Sequence, residues 1–123
     1  MGAKILIADD KVKWVKMLAE LLTTAGYQVM TTDNGHDALA LALEKQPDLL
    51  VLDYAMPSFT GKEVAQVLRK ERQFNRTPII FVSAHEEPFS DMKSQELDPC
   101  LFMPKPVNPD EVLTKIRSLL SSN

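Results

Sequence analysis

The 123-residue chain contains one cysteine, Cys100, one tryptophan, Trp14, and four glycines. A lone cysteine closes no internal disulfide. The stapled framework of small secreted domains is therefore excluded, and a reducing, cytoplasmic setting is the expectation. A strong excess of either charge is missing as well: 14 basic residues stand against 17 acidic ones, for a net charge of −3 and a pI near 5.3. That balance lacks the basic face on which general nucleic-acid binding rests, so no direct nucleic-acid contact is expected. No apolar run approaches the roughly 20 residues needed to cross a bilayer, and no membrane partner is expected. The opening stretch reaches Asp9-Asp10 without the pattern of a secretory signal. What is present, 45% hydrophobic and 25% charged residues, is the mixture of a folded globular protein. The length fits one domain over residues 1–123.

Short apolar runs alternate with helical patterns along the chain. Lys4 to Ala8, Tyr27 to Thr32, Leu49 to Leu52, Ile79 to Val82 and Cys100 to Met103 read as strands. Between the first two, Trp14, Leu18, Leu21, Leu22 and Ala25 recur at helical spacing, and Gly26 marks the stop. Asp33-Asn34-Gly35 reads as a turn before a second helix carrying Ala38, Leu39, Ala42 and Leu43. Val64, Ala65, Val67 and Leu68 give a third helix, and residues 86–97 a weaker fourth. Asn108, Pro109 and Glu111 are the start signals of the last helix, with Asn108 as cap and Glu111 completing a capping box. Strict alternation of this kind predicts an α/β fold, a parallel sheet covered by helices on both faces. Ligands of such sheets bind at the carboxyl ends of the strands.

Those ends carry a distinctive set of groups. Asp9 and Asp10 follow the first strand, Asp53 the third, Ser83 the fourth, and Lys105 the fifth. Taken singly, each has an ordinary reading: Asp9-Asp10 as a helix cap, Ser83 as a turn residue, Lys105 as a surface charge. Gathered at one edge, three carboxylates repel one another, and a hard divalent cation such as Mg²⁺ (or Mn²⁺) relieves that repulsion. A cation, a lysine and a hydroxyl around a carboxylate suit the capture of a phosphoryl group. Asp53 ends the most central strand and is the expected nucleophile.

Asp9-Asp10, the run Asp53-Tyr54-Ala55-Met56-Pro57 with Gly61, Ser83-Ala84 and Lys105-Pro106 together resemble the response-regulator receiver domain of two-component signalling. The resemblance implies a flavodoxin-like (βα)5 three-layer sandwich with strand order 2-1-3-4-5. It also implies roles. Asp53 is the phosphoacceptor, and Asp9, Asp10, Asp53 and the backbone carbonyl of Ala55 hold the metal. Ser83 is the switch hydroxyl, Phe102 the switch aromatic, and Lys105 the phosphate-pairing lysine, with a cis bond to Pro106. A histidine kinase or histidine phosphotransfer protein is the implied donor. The implied output is a downstream protein or a fused output domain, reached through a surface of the fourth helix, fifth strand and fifth helix. The chain is expected to be a monomer or a phosphorylation-dependent homodimer, and a phosphoacceptor rather than an enzyme. It departs from the family pattern at Asp98-Pro99, where a Gly-Ala pair is common, and at Pro88.

Three rival readings stand beside this one. A haloacid-dehalogenase-like phosphotransferase or phosphatase carries a second aspartate two residues after its nucleophile, and here that position is Ala55. A flavodoxin-like cofactor binder needs a phosphate-cradling loop where this chain has Asp9-Asp10-Lys11. A docking receiver without phosphorylation does not require the acid, hydroxyl and lysine that are present. The last predicted helix ends close to Asn123, so the expectation is either a stand-alone receiver or one domain of a larger regulator.

Overall fold

Alternation of side chains along a strand sends neighbouring residues to opposite faces, and a strand that is apolar at every position must be covered on both. Leu49–Asp53 and Ile79–Ser83 are such strands up to their last residues, the polar Asp53 and Ser83, and they are buried at all positions. The computed structural model, which describes residues 2–84 and 97–121, places them at and beside the centre of a five-stranded sheet. The strands are β1 (Lys4–Ala8), β2 (Gln28–Thr32), β3 (Leu49–Asp53), β4 (Ile79–Ser83) and β5 (Cys100–Pro104). All neighbours pair in parallel, in the order β2-β1-β3-β4-β5. The expected fold class is thereby observed.

The described helices are α1 (Val12–Thr24), α2 (Gly35–Lys45), α3 (Gly61–Arg69) and α4 (Pro109–Ser121), with a 3-10 turn at Arg72–Phe74. They split the core into two layers. Leu6, Leu50, Leu52 and Phe81 pack with Ala38 and Ala42 of α2 and with Val64 and Leu68 of α3. On the other face, Ile5, Ile7, Val51 and Val82 pack with Leu18 and Leu22 of α1 and with Val112 and Ile116 of α4. The predicted helix over 86–97 lies outside the described residues except for Leu97, which is buried. Pro88 and His85 lie outside them too.

Several local expectations shift in register. The buried stripe of α1 is Val15, Leu18 and Leu22, while Trp14 and Leu21 are half-buried and Ala25 is exposed. Ala25 caps the helix, and Gly26 follows in the left-handed region (φ 102°) that a side chain disfavours. Gly35 is the first residue of α2, not the end of a turn, because the Asn34 side chain accepts the Asp37 N–H at 2.8 Å and starts the helix. Asn108 does cap α4, but its Oδ1 accepts from Asp110 N–H at 2.8 Å instead of entering a reciprocal box with Glu111. A full capping box forms at α3, between Thr60 and Glu63.

Candidate functional site

Parallel pairing brings the carboxyl ends of β1, β3, β4 and β5 to one edge of the sheet. Asp9, Asp10 and Asp53 meet there, each offering an oxygen such that all three lie within 4.8 Å of one another. Asp9 and Asp53 are buried, and Asp10 is exposed. The Lys105 ammonium lies 3.0 Å from Asp9 Oδ2 and 3.4 Å from Asp53 Oδ2. The other oxygen of each buried carboxylate is held by a local turn. Asp9 Oδ1 accepts the Lys11 N–H at 2.9 Å, and Asp53 Oδ1 accepts the Ala55 N–H at 3.3 Å.

The helix-cap reading of Asp9-Asp10 does not hold, since Lys11 occupies the cap position of α1 without a side-chain cap bond. The carboxylates face the site instead. Burial, and after it the charge of Asp9, push the Asp53 carboxyl up to about 6, and the Lys105 ammonium opposes that rise. The Asp53 side chain keeps 6% of its surface open to solvent, at a mouth shared with exposed Asp10 and Ala55.

Backbone contacts fix the two loops that matter most. Tyr54 N–H donates to Val82 O at 2.8 Å and Gly61 N–H to Tyr54 O at 2.9 Å, which folds the segment after Asp53 back onto the sheet. Gly61 is needed for its lack of bulk: a Cβ there would stand 2.5 Å from the Asp53 carbonyl oxygen. Lys105 N–H donates to Ser83 O at 2.6 Å, tying the end of β5 to that of β4. The Lys105–Pro106 bond is cis, as expected, and so is Asp98–Pro99. Ser83 is buried opposite Pro104 in the register. Phe102 is half-buried and stacks on Phe81, with ring centroids 5.3 Å apart and planes 13° from parallel.

Two interactions had no signal in the sequence. The Arg69 guanidinium, at the end of α3, donates to the carbonyls of Leu97, Pro99 and Phe74. The Trp14 indole N–H donates to Val107 O at 3.0 Å. Both join segments far apart in the chain through backbone acceptors, which no residue pattern encodes. His36 is exposed in the first turn of α2. A cleft of about 610 Å³ between α1 and β2 shares Asp9 with the acidic site but contains neither Asp53 nor Lys105.

The donor set suits Mg²⁺. All the side-chain donors are carboxylate oxygens, which a hard cation prefers. Asp9 Oδ2 is buried and accepts no hydrogen bond of good geometry, although the ammonium is near. An acceptor left in that condition is costly unless a charge compensates it.

A family model described as the response regulator receiver domain matches residues 5–117. The chain belongs to that family. This receiver domain is 36% identical over 120 residues to the alkaline phosphatase synthesis transcriptional regulatory protein PhoP of Bacillus subtilis, a match covering 98% of this chain and 49% of that protein. It thus spans about half the length of the transcriptional regulators it resembles. The chemotaxis response regulator CheY4 of Vibrio cholerae has the same fold, with a TM-score of 0.87, 29% identity, and coverage of 97% of this chain and 99% of that one. The response regulator TrrA of Thermotoga maritima, solved in complex with Mg(2+)-BeF, aligns with a TM-score of 0.82, 34% identity and the same coverage. Members of the family serve two-component signalling as phosphoacceptors, with Mg²⁺ bound in the acidic pocket. Among the described residues, no helix is long and apolar enough to cross a membrane.

Proposed function

We propose that this receiver domain takes a phosphoryl group onto Asp53 from a histidine kinase or a histidine phosphotransfer protein, and that the modification changes a partner-binding surface. The observation that carries this reading is the cluster itself: three carboxylates within 4.8 Å, with one ammonium bridging the two buried ones.

Asp53 accepts the group on one of its carboxylate oxygens, reached through the narrow opening of the site. A new P–O bond forms to Asp53 as the P–N bond of the donor phosphohistidine breaks, and the imidazole, protonated on its other ring nitrogen, takes the electron pair and leaves neutral. Phosphoryl transfer needs little covalent help, so positioning and charge neutralisation do most of the catalysis. Asp9, Asp10, Asp53 and the Ala55 carbonyl are the groups that would hold Mg²⁺, which supplies charge neutralisation to the carboxylates and the phosphoryl oxygens. Lys105 gives up part of its pairing with Asp53 and pairs with a phosphoryl oxygen. The Ser83 hydroxyl donates to another. Each such charge-assisted bond contributes about 1.5–3 kcal/mol, enough in combination to shift a two-state equilibrium. Ser83 ends β4 and Phe102 lies in β5, so displacement of Ser83 reaches the Phe81–Phe102 stack through paired strands. The exposed side of β5 and α4, with the segment between β4 and β5, is the proposed output surface. TrrA's complex with Mg(2+)-BeF supports the metal and the anion site by similarity.

The test is intact-mass measurement after incubation with acetyl phosphate and Mg²⁺. A single phosphate adduct is expected, absent with a chelator and absent in Asp53→Ala. An adduct that persists in Asp53→Ala overturns the acceptor assignment.

A further inference from the structure

We infer that Trp14 is a positioning residue for Lys105, an inference that rests on the phosphoacceptor reading above. The segment from Pro104 to Val107 contains two prolines, neither of which has an N–H to give. It therefore has few ways to be tied down. Lys105 N–H bonds to Ser83 O on one side of Pro106, and Val107 O accepts the Trp14 indole N–H at 3.0 Å on the other. Val107 is buried, and Trp14 packs against the same apolar cluster. Without the indole, a polar carbonyl at this partly buried place loses its protein donor.

Trp14 sits on α1, the helix that follows directly on Asp9-Asp10. The Asp9–Lys105 ion pair at 3.0 Å and the Trp14–Val107 bond thus join the same two segments of chain, the β1–α1 junction and the β5–α4 junction. One bond acts on the Lys105 side chain and the other on the backbone two residues beyond it. Together they hold the ammonium over Asp9 and Asp53. A loop fixed only at Ser83 O would let the lysine swing, and misplacement of a neutralising charge slows phosphoryl transfer.

Trp14→Phe keeps an aromatic ring and removes the donor. The rate of adduct formation with acetyl phosphate and Mg²⁺ is compared for the parent chain, Trp14→Phe, Lys105→Ala and the double variant. The expectation is that Trp14→Phe slows labelling about three- to tenfold, the reach of one neutral hydrogen bond, and slows it no further once Lys105 is gone. Equal rates for parent and Trp14→Phe, or the same slowing in both backgrounds, overturn the inference.

A second measurement does not depend on labelling. The single tryptophan gives one indole N–H resonance, and its hydrogen exchange is expected to be several-fold faster in Lys105→Ala than in the parent. Unchanged exchange also overturns the inference. Failure of the phosphoacceptor reading looks different, since the parent chain then forms no adduct or Asp53→Ala forms one.

Discussion

Lys105 stands closer to Asp9 than to Asp53, 3.0 Å against 3.4 Å, although Asp53 is the residue proposed to react. The ammonium thus lies nearer the carboxylate that is not the proposed acceptor. Lys105→Met is expected to leave two buried carboxylates without their cation. Stability at pH 7 in the presence of a chelator should fall by about 3 kcal/mol, and Mg²⁺ should restore part of the loss. Denaturant titrations with and without the ion check this.

The Asp53 carboxyl titrates near 6 in the folded chain, against 3.8 for an unperturbed aspartate. The folded state therefore holds its proton more tightly than the unfolded state does. The resulting contribution to stability is full below about pH 3.8 and is lost as pH rises through about 6. Asp53→Asn lacks this loss. In a chelator at pH 7 it should be more stable than the parent by on the order of 3 kcal/mol, and the gap should close toward pH 4. Added Mg²⁺ should raise the melting temperature of the parent more than that of the variant. Thermal melts across this pH range decide the matter.

Gly61 lies against the carbonyl of Asp53, where a Cβ would come within 2.5 Å of that oxygen. Backbone on both sides leaves no flexible side chain to yield. Gly61→Ala should cost roughly 1–3 kcal/mol and should slow labelling of Asp53 as well, because relief of the clash moves the end of β3 or the loop that follows it. The denaturation midpoint and the acetyl phosphate rate are the two readings. A change in one without the other would separate the loop from the site.

Arg69 spends its guanidinium on three backbone carbonyls, two of them in the approach to β5. Burial pulls its pKa below the usual arginine value, and it remains a cation at neutral pH. Arg69→Met removes these bonds and leaves partly buried acceptors behind. A loss of about 2–4 kcal/mol is expected, with Arg69→Lys recovering only a fraction, since an ammonium cannot match the planar fork. Chemical denaturation of both variants tests the order.

The order of residues alone dictates the layered α/β architecture, since uninterrupted apolar runs such as Leu49–Leu52 require cover on both faces and Gly26 disfavours continuation of its helix. It also determined which groups crown the strands, because parallel strands deliver whatever follows them to one edge. The partners were settled by packing. Lys105 could not be assigned to Asp9 over Asp53, nor Trp14 to the carbonyl of Val107, nor Arg69 to Leu97, Pro99 and Phe74, until distant segments were packed together. Side-chain periodicity encodes which face is buried. Hydrogen bonds to backbone acceptors and the depth at which a carboxylate is desolvated depend on where the chain returns in space, and no local pattern carries that information.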